Sequence, residues 1–414
     1  MTAAAVGVVA VMAVAMAACS SGSGSGSGSA TASTIAAPAG LPAFYAVPAT
    51  LPPLAPGALI KSEQIASAGI QGRVFRVLYV SEDVRGRPVM VTGLVMVPTT
   101  PPPAGGYPVV TWGHGTNGMA DQCAPSLSPA DAVPLANRLL ARGWVVTASD
   151  YQGEGTPGLL PYLVGVVAAR NTIDIVRAAG HLNAAHASKE YVVWGHSEGG
   201  QTAMFSLAIG NSYASDLHLM GVVAGAPPSQ FQDIYVFLKT SPYRYYLFMA
   251  GAGFNAAYGS TVAPLSEVIT DKGISLLPVL VKGCSGYIQK HTQGYSLADL
   301  VKADPFTVPA WRKLLVANDP GSLTTATSTP LLMIQGGSDE QIPVVTTQLL
   351  MKHVCALGQG VQRWVYPGQS HAGVIPVSGN DMLTWINDRF TGVADPDPYQ
   401  PSGEAGIMVS TCST

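Results

Sequence analysis

"VVWGHSEGGQT", residues 192–202, decides how the rest of the chain is read. An apolar run ends at Trp194, a Gly-His-Ser-Glu-Gly pentapeptide follows, and small helix-compatible residues occupy Gln201 to Ile209. Strand, sharp turn and helix in that order expose a serine between glycines as a nucleophile. The pattern G-x-S-x-G alone is weak in a chain with 46 glycines. Its context and its single occurrence carry the reading of Ser197 as a nucleophile rather than a turn serine.

The segments around it alternate in the same way. "YPVVTWGHG" from Tyr107 reads as a buried strand, "AVPLANRLLARG" as an amphipathic helix closed by Gly143, and "WVVTASD" as another strand. A helix over roughly 162–181 follows, then "EYVVWGHS" with its helix and "LMGVVAGAPP". Nearly continuous apolar strands alternating with helices imply an α/β fold with a mostly parallel sheet covered on both faces. Upstream, "RVFRVLYVS" and "RPVMVTGLVMVP" flank the turn-like Arg85-Gly86 and read as an antiparallel meander. Residues 30–60 are rich in Pro and Ala and read as an extended arm.

The alternation stops between Pro227 and about Thr325, where the aromatic cluster "YRYYLFMAGAGFNAAY" stands without convincing strands. It resumes with "TPLLMIQGGSDE", a helix near 344–357, "QRWVYPGQSH" and a last helix around 382–390. The interruption reads as an inserted helical cap. Within it, Gly251 to Ala256 formally fits a dinucleotide fingerprint, but no parallel βαβ unit surrounds it. No cofactor is expected. The expected organisation is a signal at 1–19, a tether and arm at 20–58, a core from 59–226 and 326–392, a cap at 227–325, and a tail at 393–414.

The 414 residues are 48% hydrophobic and 11% charged, with a net charge of −3. That suits one elaborated domain with a large core. Without a basic cluster, nucleic acid is not expected as a partner, and no protein partner is indicated. The opening "MTAAAVGVVAVMAVAMAAC" is apolar and small, as in an export signal, and Ser21 to Ser29 form a Ser/Gly tether. "MAAC" resembles a bacterial lipobox, which makes Cys19 the expected lipidated N-terminus, anchored in the cell envelope on the outer face of the plasma membrane, with free secretion as the alternative. Met16 replaces the usual Leu there, and no Lys or Arg precedes the run. The other cysteines, Cys123, Cys284, Cys355 and Cys412, lack zinc-ligand spacing, so no metal is expected. An even number in an exported chain suggests two disulfides, with three pairings open.

A serine hydroxyl needs a base, and the base needs an orienting carboxylate. Asp339 follows the strand "LLMIQGG" and His371 follows "RWVYPGQS"; both sit where such sheets place their chemistry, and both come after Ser197. Asp150 also ends a strand but precedes the serine, so a structural role is expected for it. Glu340 is the rival acid. His196 should project away from the serine hydroxyl, and His181, His186, His218, His291 and His353 fall in helical or loop segments. An oxyanion needs two backbone donors. One is expected from Glu198, whose carboxylate would suit a helix N-terminus, and the other from the loop "TWGHGTNG", with Thr116 first and Gly115 next.

With these residues assembled, the chain resembles the secretory lipase family of α/β-hydrolases from about Leu59 to Phe390. The resemblance rests on "GHG" at 113–115, "SDYQGEG" at 149–155, "PYLVG" at 161–165, "GHSEGGQ" at 195–201, "GGSDEQIP" at 336–343 and "SHAG" at 370–373. It implies hydrolysis of carboxylic esters of acyl lipids, Ser197, Asp339 and His371 as the triad, and a helical cap over an acyl pocket. In that cap, Tyr246, Phe248 and Phe254 are the expected substrate contacts. Cysteine spacing does not choose a pairing. The resemblance points to Cys123–Cys284 and Cys355–Cys412, which would each tie down a segment lacking its own core. An acyltransferase, a serine peptidase on the same fold and a silent lipid-binding lipoprotein are the competing readings.

Overall fold

The computed structural model describes residues 33–393, 401 and 406–412. The expected signal, Cys19 and the Ser/Gly tether lie outside them. A ten-stranded sheet runs through the molecule. Its strands are β1 (Leu59–Ile65), β2 (Arg73–Glu82), β3 (Pro88–Val97), β4 (Tyr107–Gly113), β5 (Val145–Ser149), β6 (Ala187–His196), β7 (His218–Gly225), β8 (Leu331–Gly336), β9 (Val361–Tyr366) and β10 (Met408–Cys412). The order across the sheet is β10-β9-β8-β7-β6-β4-β5-β3-β2-β1. Neighbours from β9 through β5 are parallel, and β1, β2, β3 and β10 join antiparallel.

Why these runs form a covered sheet is visible in their neighbouring residues. Val109, Val193 and Val222 face a cluster with Ile173, Met204 and Leu350, from helices Gly165–His181, Glu198–Tyr213 and Val344–Ala356. Val110, Val192 and Val223 face the opposite cluster, with Leu139, Met382 and Trp385. Successive strand side chains point to opposite faces, so both faces must be apolar when both are covered. Each fully buried side chain of this kind contributes roughly 1.5–3 kcal/mol.

Several elements differ from the sequence-based expectation. β1 lies in the segment from Leu59 with polar alternation (Lys61, Glu63), which resembles a loop when read alone. The arm before it is partly docked, with Phe44, Tyr45 and Val47 buried and Tyr45 OH 2.6 Å from Ser126 Oγ. The helix expected over 132–143 is split into Pro129–Ala132 and Ala136–Ala141 at Leu135, which takes a left-handed conformation (φ 59°). The last helix starts early, at Val374. Its Pro376 sits in the first turn, where proline is tolerated, and Gly379 lies where a Cβ would come within 2.8 Å of Arg138.

Between β7 and β8 the described residues form helices and turns and add no strand to the sheet. Helices Phe231–Leu238, Tyr245–Tyr258, Ser285–Thr292 and Pro309–Ala317 are its larger parts. Phe248, Ile288 and Trp311 pack in one cluster with Tyr151, Leu160 and Tyr162 of the main body. The disulfides are Cys123–Cys284 (Cα–Cα 5.5 Å) and Cys355–Cys412 (6.1 Å). The first joins the segment after β4 to the helical insertion, where Ser285 N–H donates to Asn117 O at 2.7 Å. The second anchors the tail to helix Val344–Ala356, while β10 pairs with β9 at the sheet edge. No described helix is long and apolar enough to cross a membrane.

Candidate active site

Ser197 sits between β6 and helix Glu198–Tyr213 with φ 60° and ψ −124°, a conformation that non-glycine residues seldom adopt. The turn is held by Ser197 N–H donating to Gly225 O at 2.9 Å and by Gly200 and Gln201 N–H donating back to Ser197 O. Close backbone approach explains the flanking glycines. A Cβ at Gly195 would lie 2.0 Å from Gly199 O, and one at Gly199 would lie 1.8 Å from Gly113 O. Any side chain there would push β4, β6 and the helix apart.

Asp339 and His371 are brought together from the loops after β8 and β9. His371 Nδ1 is 2.8 Å from Asp339 Oδ2, and Asp339's side chain is fully buried. The carboxylate is saturated: Oδ1 accepts from the N–H groups of Gln341 (2.9 Å) and Ile342 (2.8 Å), and Oδ2 also accepts from Gln335 Nε2 (2.7 Å). With Nδ1–H donating to Asp339, the ring presents Nε2 as its acceptor. The rival Glu340 makes a different contact, accepting from the backbone N–H of His371 at 3.1 Å. Gln335 escaped the sequence reading, although a glutamine inside an otherwise apolar strand was its available signal.

The ring of His196 packs against His371, with centroids 4.6 Å apart, and only 6% of the residue is exposed. Burial, and then the neighbouring His371, hold its pKa well below the usual histidine value, so it is a neutral neighbour. Asp150 has the structural role expected, accepting from Ser126 N–H at 2.8 Å and from Ser126 Oγ.

The loop after β4 lies against the elbow. A Cβ on Gly115 would be 3.5 Å from Ser197 Cβ and 3.3 Å from His196 O. Thr116 Oγ1 is 2.7 Å from Tyr162 OH and also pairs with the Glu198 carboxyl. Glu198 departs from the charged helix-terminal role expected for it. It is only 3% exposed, and burial pushes its carboxyl up to about 8, so desolvation outweighs the helix dipole. Behind the loop, burial lowers His114 to about 4, and the ring stacks on Tyr151 with centroids 4.1 Å apart.

Ser197 and Glu198 line an apolar cavity of about 930 Å³ including its mouth. Helix Tyr245–Tyr258 contributes Tyr246, Leu247, Ala250, Gly251 and Phe254, and helix Phe231–Leu238 contributes Phe231, Ile234 and Leu238. Of the three expected contacts, Tyr246 and Phe254 line it. Phe248 does not: it is fully buried in the cluster it shares with the main body, because its position falls off the helix stripe that faces the cavity. Among the described residues, no group of three or more His, Cys, Asp or Glu could hold a metal ion.

A parallel sheet with a serine on the strained turn after a central strand, and a His–Asp pair after two later strands, defines an α/β-hydrolase. The chain belongs to the secretory lipase family, whose model matches residues 109–397, and it is an exported carboxylic ester hydrolase. It is 25% identical to the secreted triacylglycerol lipase LIP4 of Malassezia globosa, over 77% of this chain and 72% of that one. It is 23% identical to a probable inactive lipase of Mycobacterium tuberculosis, over 84% and 82% of the two chains. Among solved structures, lipase A of Candida antarctica in its closed state has a TM-score of 0.72 at 19% identity, covering 82% of this chain and 84% of that one. The rice cell wall degrading esterase LipA of Xanthomonas oryzae has a TM-score of 0.68 at 20% identity, covering 82% and 99%.

Proposed function

We propose that this hydrolase cleaves acyl lipid esters through an acyl-enzyme on Ser197, with His371 as base and Asp339 as its orienting acid. The observation that carries the reading is the 2.8 Å contact between His371 Nδ1 and a buried, fully bonded Asp339 carboxylate. Ser197 Oγ attacks the ester carbonyl while His371 Nε2 takes its proton, and Asp339 stabilises the imidazolium that forms. The tetrahedral oxyanion is held by the N–H of Glu198 and one from Thr116 or Gly115. Collapse expels the alcohol, which takes the proton from His371. Water then attacks the acyl-enzyme by the same steps, releasing the acid and restoring Ser197.

Residues 227–325 act in this reading as a cap, and its Tyr246 and Phe254 share the cavity with the acyl chain. Triacylglycerol, the substrate named for the Malassezia relative, suits an apolar cavity beside the serine. Replacing Ser197 with Ala should abolish hydrolysis of p-nitrophenyl esters in a protein that still folds; activity above one-tenth of wild type contradicts the assignment.

Attachment to the outer face of the plasma membrane through a lipid on Cys19 is supported by the sequence alone, in the apolar run ending at "MAAC" and the Ser/Gly tether behind it. Mass spectrometry of the mature N-terminus checks it: a diacylated Cys19 is expected, and an unmodified start beyond that residue contradicts it.

A further inference from the structure

Gln335 is a polar residue in an otherwise apolar strand. It is fully buried in β8, where Leu331, Leu332, Met333 and Ile334 precede it. Its Nε2 donates to Asp339 Oδ2 at 2.7 Å and to Ile342 O at 3.2 Å. A carboxylate and a backbone carbonyl only accept, so the amide orientation is forced: turning it over would set Oε1 against both. In the orientation that results, Oε1 is buried and has no hydrogen-bond partner among the described residues. An orphaned buried acceptor is costly, and a methionine of similar size would avoid it. Strand stability therefore does not account for a glutamine here, and a local rule broken in this way marks a functional position.

The oxygen it reaches is the one that matters to the base. Asp339 Oδ1 is occupied by the N–H groups of Gln341 and Ile342. Oδ2 is shared between Gln335 Nε2 and His371 Nδ1, which lies 2.8 Å away. A second donor on the same oxygen stabilises its charge and makes it a weaker partner for the first.

We propose that Gln335 is a positioning residue that acts through Asp339: by sharing Oδ2 it tempers the hold of the carboxylate on the His371 imidazolium, so that His371 can pass its proton to the leaving alcohol. This rests on the acyl-enzyme reading given above. The other groups around the imidazole do not supply this effect. Glu340 accepts from the backbone N–H of His371 and not from its ring, and His196 packs against the ring as a neutral neighbour. Tyr243, from the insertion, faces Glu340 and Asp339.

The test is Gln335→Met, which removes the donor and keeps the volume. Two readouts are compared with wild type: the downfield proton resonance of His371 Nδ1–H, assigned by its loss in His371→Ala, and the pH profile of kcat/KM for p-nitrophenyl octanoate. With the donor gone, the resonance should persist and move further downfield, and the acid limb should rise by about one pH unit. A residue that only shapes the loop through Ile342 predicts the opposite, because Asp339 would then drift from His371. A resonance that vanishes or stays in place overturns the proposal, as does an acid limb that falls or does not move. Should the variant fail to fold, the side-chain amide protons of Gln335 in wild type decide. They should shift across the acid limb, and a fixed resonance overturns the proposal. Octanoate hydrolysis surviving in Ser197→Ala would sink the acyl-enzyme reading, whereas the resonances need no turnover, so the two can fail independently.

Discussion

A serine hydroxyl is almost wholly protonated at neutral pH, so Ser197 is competent only beside an aligned base. The bonds around Asp339 define how that base is held. Because Asp339 and Glu340 are adjacent but contact different atoms of His371, they should respond differently to neutralisation. Asp339→Asn is expected to lower kcat by about 10⁴, since an amide favours the wrong tautomer, whereas Glu340→Gln should cost less than tenfold. Comparable losses in the two variants would mean that the acid has been misassigned. Glu198 gives a prediction about stability. Its carboxyl is raised from an ordinary 4.5 to about 8 in the folded state, so folding favours the proton. The folded form therefore loses stability relative to the unfolded chain as pH climbs from 4.5 towards 8, and the deficit is complete above that. Glu198→Gln removes this dependence. Urea unfolding at pH 5 and pH 9 should show the variant gaining on wild type at the higher pH; an unchanged difference contradicts the assignment.

Helix Tyr245–Tyr258 shows what a single element conceals in sequence. It is aromatic or small on nearly every face, so its composition marks it as buried but not which side meets which neighbour. Phe248 and Phe254 both pack in the shared core, but only Phe254 also lines the cavity, a distinction set by packing against residues far away in the chain. Phe254→Ala should therefore reduce kcat/KM for long-chain esters more than for acetate, because remote binding energy acts at the reacting centre. Phe248→Ala should instead destabilise the fold by about 3–5 kcal/mol and leave chain-length preference unchanged. A series of p-nitrophenyl esters alongside thermal unfolding checks both, and equal losses across chain lengths for Phe254→Ala would make it a packing residue only. The strand–turn–helix at Ser197 was legible because local residues dictate it: the β-branched run, the glycines and the small residues after them. β10 was not, since Met408–Cys412 becomes a strand only by pairing with β9.

For the whole molecule, the parallel strands ending at Gly113, His196, Gly336 and Tyr366 deliver their loops to one edge of the sheet. Chain order and strand ends were enough to nominate Ser197, Asp339 and His371, because a doubly covered parallel sheet leaves its strand C-termini as the available crevice. What the sequence could not supply were contacts decided by tertiary packing: His196 against His371, Gln335 on Asp339 and the unpartnered oxygen of Glu198. Disulfide Cys123–Cys284 links the loop carrying Gly115 and Thr116 to the helical insertion, so the edge that holds the site is joined covalently to the segment above it. The central claim is that this edge makes one hydroxyl nucleophilic. Labelling the folded protein with a fluorophosphonate and mapping the adduct by peptide mass spectrometry tests it directly. A single adduct on Ser197, absent in His371→Ala, is the expected result. No adduct, or an adduct on another serine in a protein that still hydrolyses esters, would contradict it.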